Sequence, residues 1–102
     1  MKIVLCTAPL EAAENLASTL VGERLAACVN VHSGVVSVYR WNGAVERANE
    51  ALLVMKTSDA SLDQLMARIA EIHPYSVPEI VALDTARVNQ EYGDWVDSET
   101  SS

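Results

Sequence analysis

The sequence of 102 residues predicts an α+β domain of the ferredoxin-like class, with elements in the order βαββαβ. In this class two helices cover one face of an antiparallel sheet. Short apolar, β-branched runs alternate with two stretches of helical apolar spacing, and an Asn-Gly pair separates the two central runs. The length fits a single domain over residues 1–102, with a frayed tail expected from about residue 97.

The first strand and the first helix are predicted at the start of the chain. Residues 2–7 are mostly apolar and end shortly before Pro9, which is typical of a buried strand. Pro9 suits the first turn of a helix, and Glu11 adds negative charge where the helix dipole favours it. Apolar residues at i, i+3 and i+4 spacing then predict a helix over residues 9–25.

The middle of the chain predicts strands joined by a tight turn. Residues 26–31 lead into one strand, residues 34–41 are rich in Val and aromatic side chains, and residues 44–57 form the return strand. The pair Asn42 and Gly43 matches a type I′ turn, which requires a positive φ at both central residues. We therefore expect a hairpin at the centre of the fold.

A second helix and a last strand complete the predicted order. Ser61 and Gln64 match a capping box, and the apolar residues that follow keep helical spacing until Pro74 ends the helix. Residues 77–83 are predicted as the last strand. Residues 88–97 are predicted to add a short helix or a further strand.

The net charge excludes several classes of partner. Seven Lys and Arg against fourteen Asp and Glu give a charge of −7 and a pI near 4.6. Such a surface repels phosphate backbones and anionic lipids, so neither a nucleic acid nor a membrane is an expected partner.

The sequence shows no apolar run of the ~20 residues that span a bilayer and no signal-peptide pattern. Two cysteines are too few for a disulfide framework, which completes the prediction of a cytoplasmic protein.

The predicted sheet is apolar on both faces. Along the hairpin, Val36 and Val38 point to one side, whereas Tyr39 and Trp41 point to the other. Two helices cover only one face, and the uncovered face would exceed the apolar patch that monomers usually carry. The pattern therefore predicts an oligomer, with Tyr39 and Trp41 as interface anchors because Tyr and Trp are enriched at interfaces.

Six short motifs stand out in order along the chain. They are VLCTAP at 4–9, RLAACVN at 24–30, SVYRWNG at 37–43, Lys56 with Thr57, HPYSVPEI at 73–80, and Tyr92 with Trp95. Together they resemble the CutA divalent-cation tolerance family, over residues 2–96. The resemblance implies a ferredoxin-like domain packed as a homotrimer with its sheets facing inward. It also implies a role in divalent-metal tolerance, chiefly towards copper, by binding rather than by catalysis.

The resemblance also implies a copper site at Cys6 in the first motif and at His73 in the His-Pro-Tyr motif. Thiolate and imidazole both suit copper, and both also bind other divalent cations. Some members of the family carry two consecutive histidines at this point, whereas this chain has Ile72 at the first position. From its position alone, Cys6 fits a packed core better than a metal site, whereas His73 fits the C-terminal cap of a helix as well as a metal ligand.

Two other functions stay open. A PII-like regulatory module would bind a small ligand in a cleft between subunits, with Lys56, Tyr75 and Glu79 as cleft residues unless they form only a local ion pair. A trimeric scaffold would bind an unidentified protein partner and no ligand. Catalysis is not predicted, because the sequence has no phosphate loop, nucleophile elbow or zinc-finger spacing. Glu46 and Glu50, which share one face of the return strand, are expected to be solvated.

Overall fold

Seven elements follow one another in the computed structural model, which describes residues 1–100. They are β1 (Lys2–Ala8), α1 (Leu10–Gly22), β2 (Cys28–Trp41), β3 (Ala44–Thr57), α2 (Leu62–Ile72), β4 (Val81–Asp84) and α3 (Gln90–Glu99). The strands form one antiparallel sheet in the order β2-β3-β1-β4. This order confirms the predicted ferredoxin-like class. Within residues 1–100, every helix is too short or too polar to cross a membrane.

The hydrophobic core lies between the sheet and the first two helices. On β1, alternate residues are buried, so that Cys6 packs beside its register partner Leu53 of β3 and both are fully buried. Alternation along a strand sends successive side chains to opposite faces, which leaves the neighbouring residues of β1 only half-buried. The helices contribute Ala13, Leu16, Ala17 and Leu20 from α1, and Leu65 and Ile69 from α2.

The central hairpin matches its predicted turn. Asn42 and Gly43 have φ values of 50° and 79°, the positive values that a type I′ turn requires. The strand before the turn is one continuous element of 14 residues rather than two runs. Its pairing with β3 shifts between His32 and Val35. There Ser33 and Gly34 lie opposite a single residue of β3, which is the arrangement of a β-bulge.

The outer halves of β2 and β3 project beyond the rest of the sheet. β1 pairs with β3 only over residues 51–57, so within the described residues 35–41 and 44–50 pair only with each other. We call residues 35–50 the ribbon. Its projection accounts for the elongated outline of the subunit, 44 × 26 × 22 Å.

Both predicted helices differ from expectation at one end. α1 ends at Gly22 rather than at residue 25, because Arg24 adopts a left-handed conformation with φ of 62°. The prediction of a capping box at Ser61 is wrong, because Ser61 has helical backbone angles and its hydroxyl donates to the Thr100 carbonyl at 2.7 Å. The Ser58 hydroxyl accepts the Ser61 N–H instead.

The predicted frayed tail from residue 97 is wrong for the residues that the structure describes. α3 continues to Glu99, and Val96 on it is fully buried. The Thr100 hydroxyl lies 2.9 Å from the Ser58 hydroxyl and 2.7 Å from the Val96 carbonyl. These buried hydrogen bonds hold the end of α3 against the start of α2. Residues 101–102 lie outside the described residues.

The last predicted strand is shorter than expected. β4 comprises Val81–Asp84 rather than 77–83, and residues 73–80 form an irregular loop. Pro78 within the expected strand has no N–H to donate to a ladder, which is a physical reason for the shortening. Of the two alternatives for residues 88–97, the helix is observed, and the Asn89 side chain caps it by accepting two backbone N–H groups.

Candidate functional site

A cleft of about 850 Å³ lies between the ribbon and the loop that follows α2. The ribbon contributes residues 37–41 and Glu50 to its walls, the loop contributes residues 74–79, and β1 contributes Thr7. Tyr75 and Glu79, two of the three predicted cleft residues, line it together with Tyr39 and Trp41. The cleft therefore brings residues from both motifs, SVYRWNG and HPYSVPEI, to one place.

Lys56 lies away from this cleft, so the subunit does not bring it together with Tyr75 and Glu79. In the sheet it pairs with Ile3 and Cys28, six residues along β3 from Glu50, which corresponds to about 20 Å of strand. Its ammonium group donates to the side-chain oxygen of Asn30 and lies 4.0 Å from the Cys28 sulfur. The sequence does not show where the loop of residues 73–80 lies relative to the hairpin. The separation between Lys56 and the cleft could therefore not be predicted.

Glu50 is the cleft residue that the sequence did not reveal. It was expected to be solvated, but it is only 6% exposed. Its carboxylate accepts a hydrogen bond from the Tyr75 hydroxyl at 2.7 Å. Burial, and then the bond to Glu50, raise the pKa of Tyr75 to about 12, so the phenol keeps its proton at neutral pH.

His73 follows α2 and is buried, with both ring nitrogens engaged. Its Nε2 lies 2.8 Å from the Thr7 carbonyl oxygen, and its Nδ1 accepts the backbone N–H of Tyr75 at 3.0 Å. A carbonyl only accepts hydrogen bonds, so this pattern requires a neutral ring with its proton on Nε2. The imidazole therefore ties the first turn of the loop to β1, and it does not cap the carbonyls of α2.

Cys6 belongs to the hydrophobic core. Its thiol is fully buried and donates weakly to the Thr7 carbonyl at 3.5 Å. Burial raises the pKa of Cys6 to about 12, and the negative charges of Glu79 and Glu50 act in the same direction. At neutral pH the side chain is a neutral thiol, whereas a metal ligand must be a thiolate.

Cys6 and His73 nevertheless meet at one atom, since both contact the Thr7 carbonyl oxygen. The two residues that the resemblance implied as ligands are therefore neighbours, but neither presents a free donor atom. Within residues 1–100, no three His, Cys, Asp or Glu side chains are grouped in a way that could hold a metal ion. A metal site in this subunit thus needs a change of conformation or donors from another subunit.

The buried thiol predicts a loss of stability in alkali. Because the folded-state pKa of Cys6 is raised from its ordinary 9 to about 12, the unfolded chain loses its proton first as the pH rises. The free energy of unfolding should be unaffected by this group below pH 9 and should fall between pH 9 and 12. Denaturant unfolding of the wild type and of Cys6→Ala at a series of pH values measures this. Tyr75 titrates in both proteins, so a smaller fall in the variant isolates Cys6, and identical profiles would contradict a buried, protonated thiol.

The ribbon exposes apolar side chains on both of its faces. Val38 and Val45 are each 66% exposed, and Trp41 is 49% exposed. Tyr39 is exposed as well. Tyr39 and Trp41 are the residues that the sequence predicted as interface anchors, and the interface itself stays a prediction.

The proteins similar to this chain belong to one family. The family model of CutA1 divalent ion tolerance proteins matches residues 2–99. The divalent-cation tolerance protein CutA of Thermus thermophilus is 48% identical over 100 residues, 97% of each chain. The solved structure of the protein from that organism has a TM-score of 0.93 and covers 99% of this chain and 100% of that one.

Two further relatives extend the comparison. The PII-like protein CutA of Nostoc sp. PCC 7120, solved in apo form, is 41% identical with a TM-score of 0.95, and the match covers 99% of this chain and 98% of that one. The chloroplastic protein CutA 1 of rice, Oryza sativa, is 40% identical over 99 residues, which are 96% of this chain and 56% of the rice protein. The whole described fold, and not one motif, is therefore shared with these proteins.

Proposed function

Because the chain belongs to the CutA1 divalent ion tolerance family, we propose that it acts in tolerance to divalent cations, chiefly copper, by binding the ion as a homotrimer in the cytoplasm. The Thermus relative is named for tolerance, and none of the relatives described above is named for a reaction, which favours binding over catalysis. The observation that carries the proposal at the level of residues is the meeting of Cys6 and His73 at the Thr7 carbonyl.

Binding at Cys6 and His73 requires the start of the loop to open. Nδ1 of His73 becomes free to bind the ion when the Tyr75 N–H no longer donates to it. The Cys6 thiol must lose its proton to become a soft ligand. Copper binding is therefore expected to release a proton. Glu50 and Glu79, whose charges already influence Cys6, would stabilise the positive charge of the ion.

The ribbon supports the homotrimer. A two-stranded ribbon is marginal in water by itself, yet this one carries exposed valines and an exposed tryptophan. Packing against other subunits would bury these side chains and would protect the free edges of the ribbon. Assembly would also bring in further donor atoms, which the single subunit lacks for a metal site.

The test is a copper titration against a chelator of known affinity, under reducing and under oxidising conditions. Cys6→Ala and His73→Ala are compared with Cys28→Ser and His32→Ala, which change the half-buried second thiol and the exposed second imidazole. We expect the first pair to weaken copper binding about 10-fold or more and the second pair to leave it unchanged. Light scattering on the same samples checks the assembly. Equal copper affinity in all the proteins would contradict the proposed ligands.

The cleft favours a second function, that of a PII-like regulatory module that binds a small molecule. Its volume of about 850 Å³ lies in the range of small-molecule sites, and it combines aromatic side chains with a buried carboxylate. A relative with the same fold is described as PII-like. This function predicts ligand binding that is insensitive to Cys6→Ala, together with a protein partner whose affinity depends on the ligand.

A further inference from the structure

The Glu50 carboxylate lies buried in the wall of an open cleft. It is only 6% exposed, and its Oε2 accepts the Tyr75 hydroxyl. Among residues 1–100 it takes part in none of the ion pairs that the structure shows. A buried ionised carboxylate is unfavourable unless it is paired or well hydrogen-bonded, and one neutral phenol neutralises no charge. The site is therefore suited to a positive charge from outside the chain.

Aromatic side chains line the same cleft as this carboxylate. Glu50 pairs in register with Val35, and residues two apart on a strand share a face. Tyr39 and Trp41 therefore project from the same face of the ribbon as Glu50, about 13 and 20 Å further along the strand. Across the cleft, the Tyr75 ring belongs to the loop that follows α2.

The charge around the cleft is predominantly negative. Glu79 lines the cleft together with Glu50, and both carboxylates act on the buried Cys6. The negative charge of Glu11 also reaches Tyr75, as one of the causes that raise its pKa. Arg40 is the basic residue among those lining the cleft, but strand alternation directs its side chain to the opposite face from Tyr39 and Trp41.

From this arrangement we propose that the cleft binds a small organic cation, an alkylammonium group, with the Glu50 carboxylate as its anchor. An ammonium group gains at once from the Glu50 carboxylate and from the ring of Tyr75 beside it, whereas an anion would meet two carboxylates. This inference rests on the second proposed function, the binding of a small molecule in the cleft.

Titration calorimetry on the full chain tests the inference with three probes of similar shape: tetramethylammonium, the neutral tert-butanol and the anionic pivalate. We expect tetramethylammonium to bind about 10-fold or more tightly than either of the other probes. Glu50→Gln should weaken its binding about 10-fold. Glu79→Gln, at an exposed position where folding is not at risk, should weaken it as well. Glu14→Gln removes an equal charge from an exposed position on α1 and should leave the affinity unchanged.

The outcomes separate this inference from the function on which it rests. Equal affinity for all three probes, or a preference for pivalate, would overturn the cation while a small-molecule cleft would still stand, provided that Tyr75→Ala abolishes the binding. Unchanged tetramethylammonium binding in both glutamate variants would overturn the role of the carboxylates. No binding of any probe would overturn both the inference and the small-molecule function of the cleft.

Discussion

Trp41→Ala is expected to convert a particle of about 33 kDa, three chains of 11.0 kDa each, into single chains. The indole is half exposed at the tip of the ribbon, beside the turn, where β2 pairs only with β3 among the described residues. Large aromatic side chains of this kind supply a disproportionate share of the binding energy of an interface. Multi-angle light scattering at micromolar concentration measures the change directly.

Trp95→Ala is the matched control for this prediction. Trp95 has a similar exposure, 43%, but it lies on α3 against Tyr92 and not on the ribbon. The control should keep the mass of the wild type. A Trp41→Ala protein that stays trimeric would show that the ribbon tip is not the anchor. A wild-type protein of 11 kDa in solution would contradict the trimer and the argument from the two apolar sheet faces.

Leu53→Ala is expected to lower the free energy of unfolding by about 2–5 kcal/mol. Leu53 is fully buried at the centre of the sheet, directly beside Cys6, and faces the helices. Its truncation leaves a cavity that the neighbouring β1 and β3 backbones, fixed by their hydrogen bonds, cannot close. Denaturant unfolding at one fixed protein concentration measures the loss, because the stability of an oligomer depends on concentration.

Leu10→Ala removes the same atoms from an exposed position. Leu10 begins α1 and is 47% exposed, so its truncation should change the free energy of unfolding by no more than about 0.5 kcal/mol. Equal losses in the two variants would mean that the core does not lie between the sheet and the first two helices.

The parts of the fold that depend on neighbours in sequence could be predicted. The turn at Asn42 and Gly43, the return strand and the end of the second helix before Pro74 follow from local backbone chemistry. The parts that depend on distant contacts could not. The Ser61 hydroxyl donates to the Thr100 carbonyl instead of capping α2. The end of α3 is thus held by hydrogen bonds to Ser58 and Ser61, which precede α2.

The candidate site divides in the same way. The motifs pointed to Cys6, His73, Tyr75 and Glu79, and the structure places all four around the Thr7 carbonyl and the cleft. The motifs could not show whether these groups are protonated or already hydrogen-bonded. A protonated thiol and a histidine with both nitrogens engaged result from burial. In the sequence, Glu50 cannot be told from an exposed acid on a strand, because its burial depends on the distant loop that carries Tyr75.

The bulge at Ser33 and Gly34 has a consequence for how this family of sequences can vary. It places one extra residue in β2, so that His32 and Val35 share a face of the sheet although they are three residues apart. Deleting Ser33 or Gly34 would remove the bulge, but Tyr39 and Trp41 would keep their partners on β3 and their face, because β3 runs unbroken through the sheet and the ribbon. Removing one residue from each strand would exchange the faces beyond that point, whereas removing two from each would preserve them. The ribbon is thus an interchangeable module, one that evolution or design can lengthen or replace in two-residue steps without redesigning the domain that carries it.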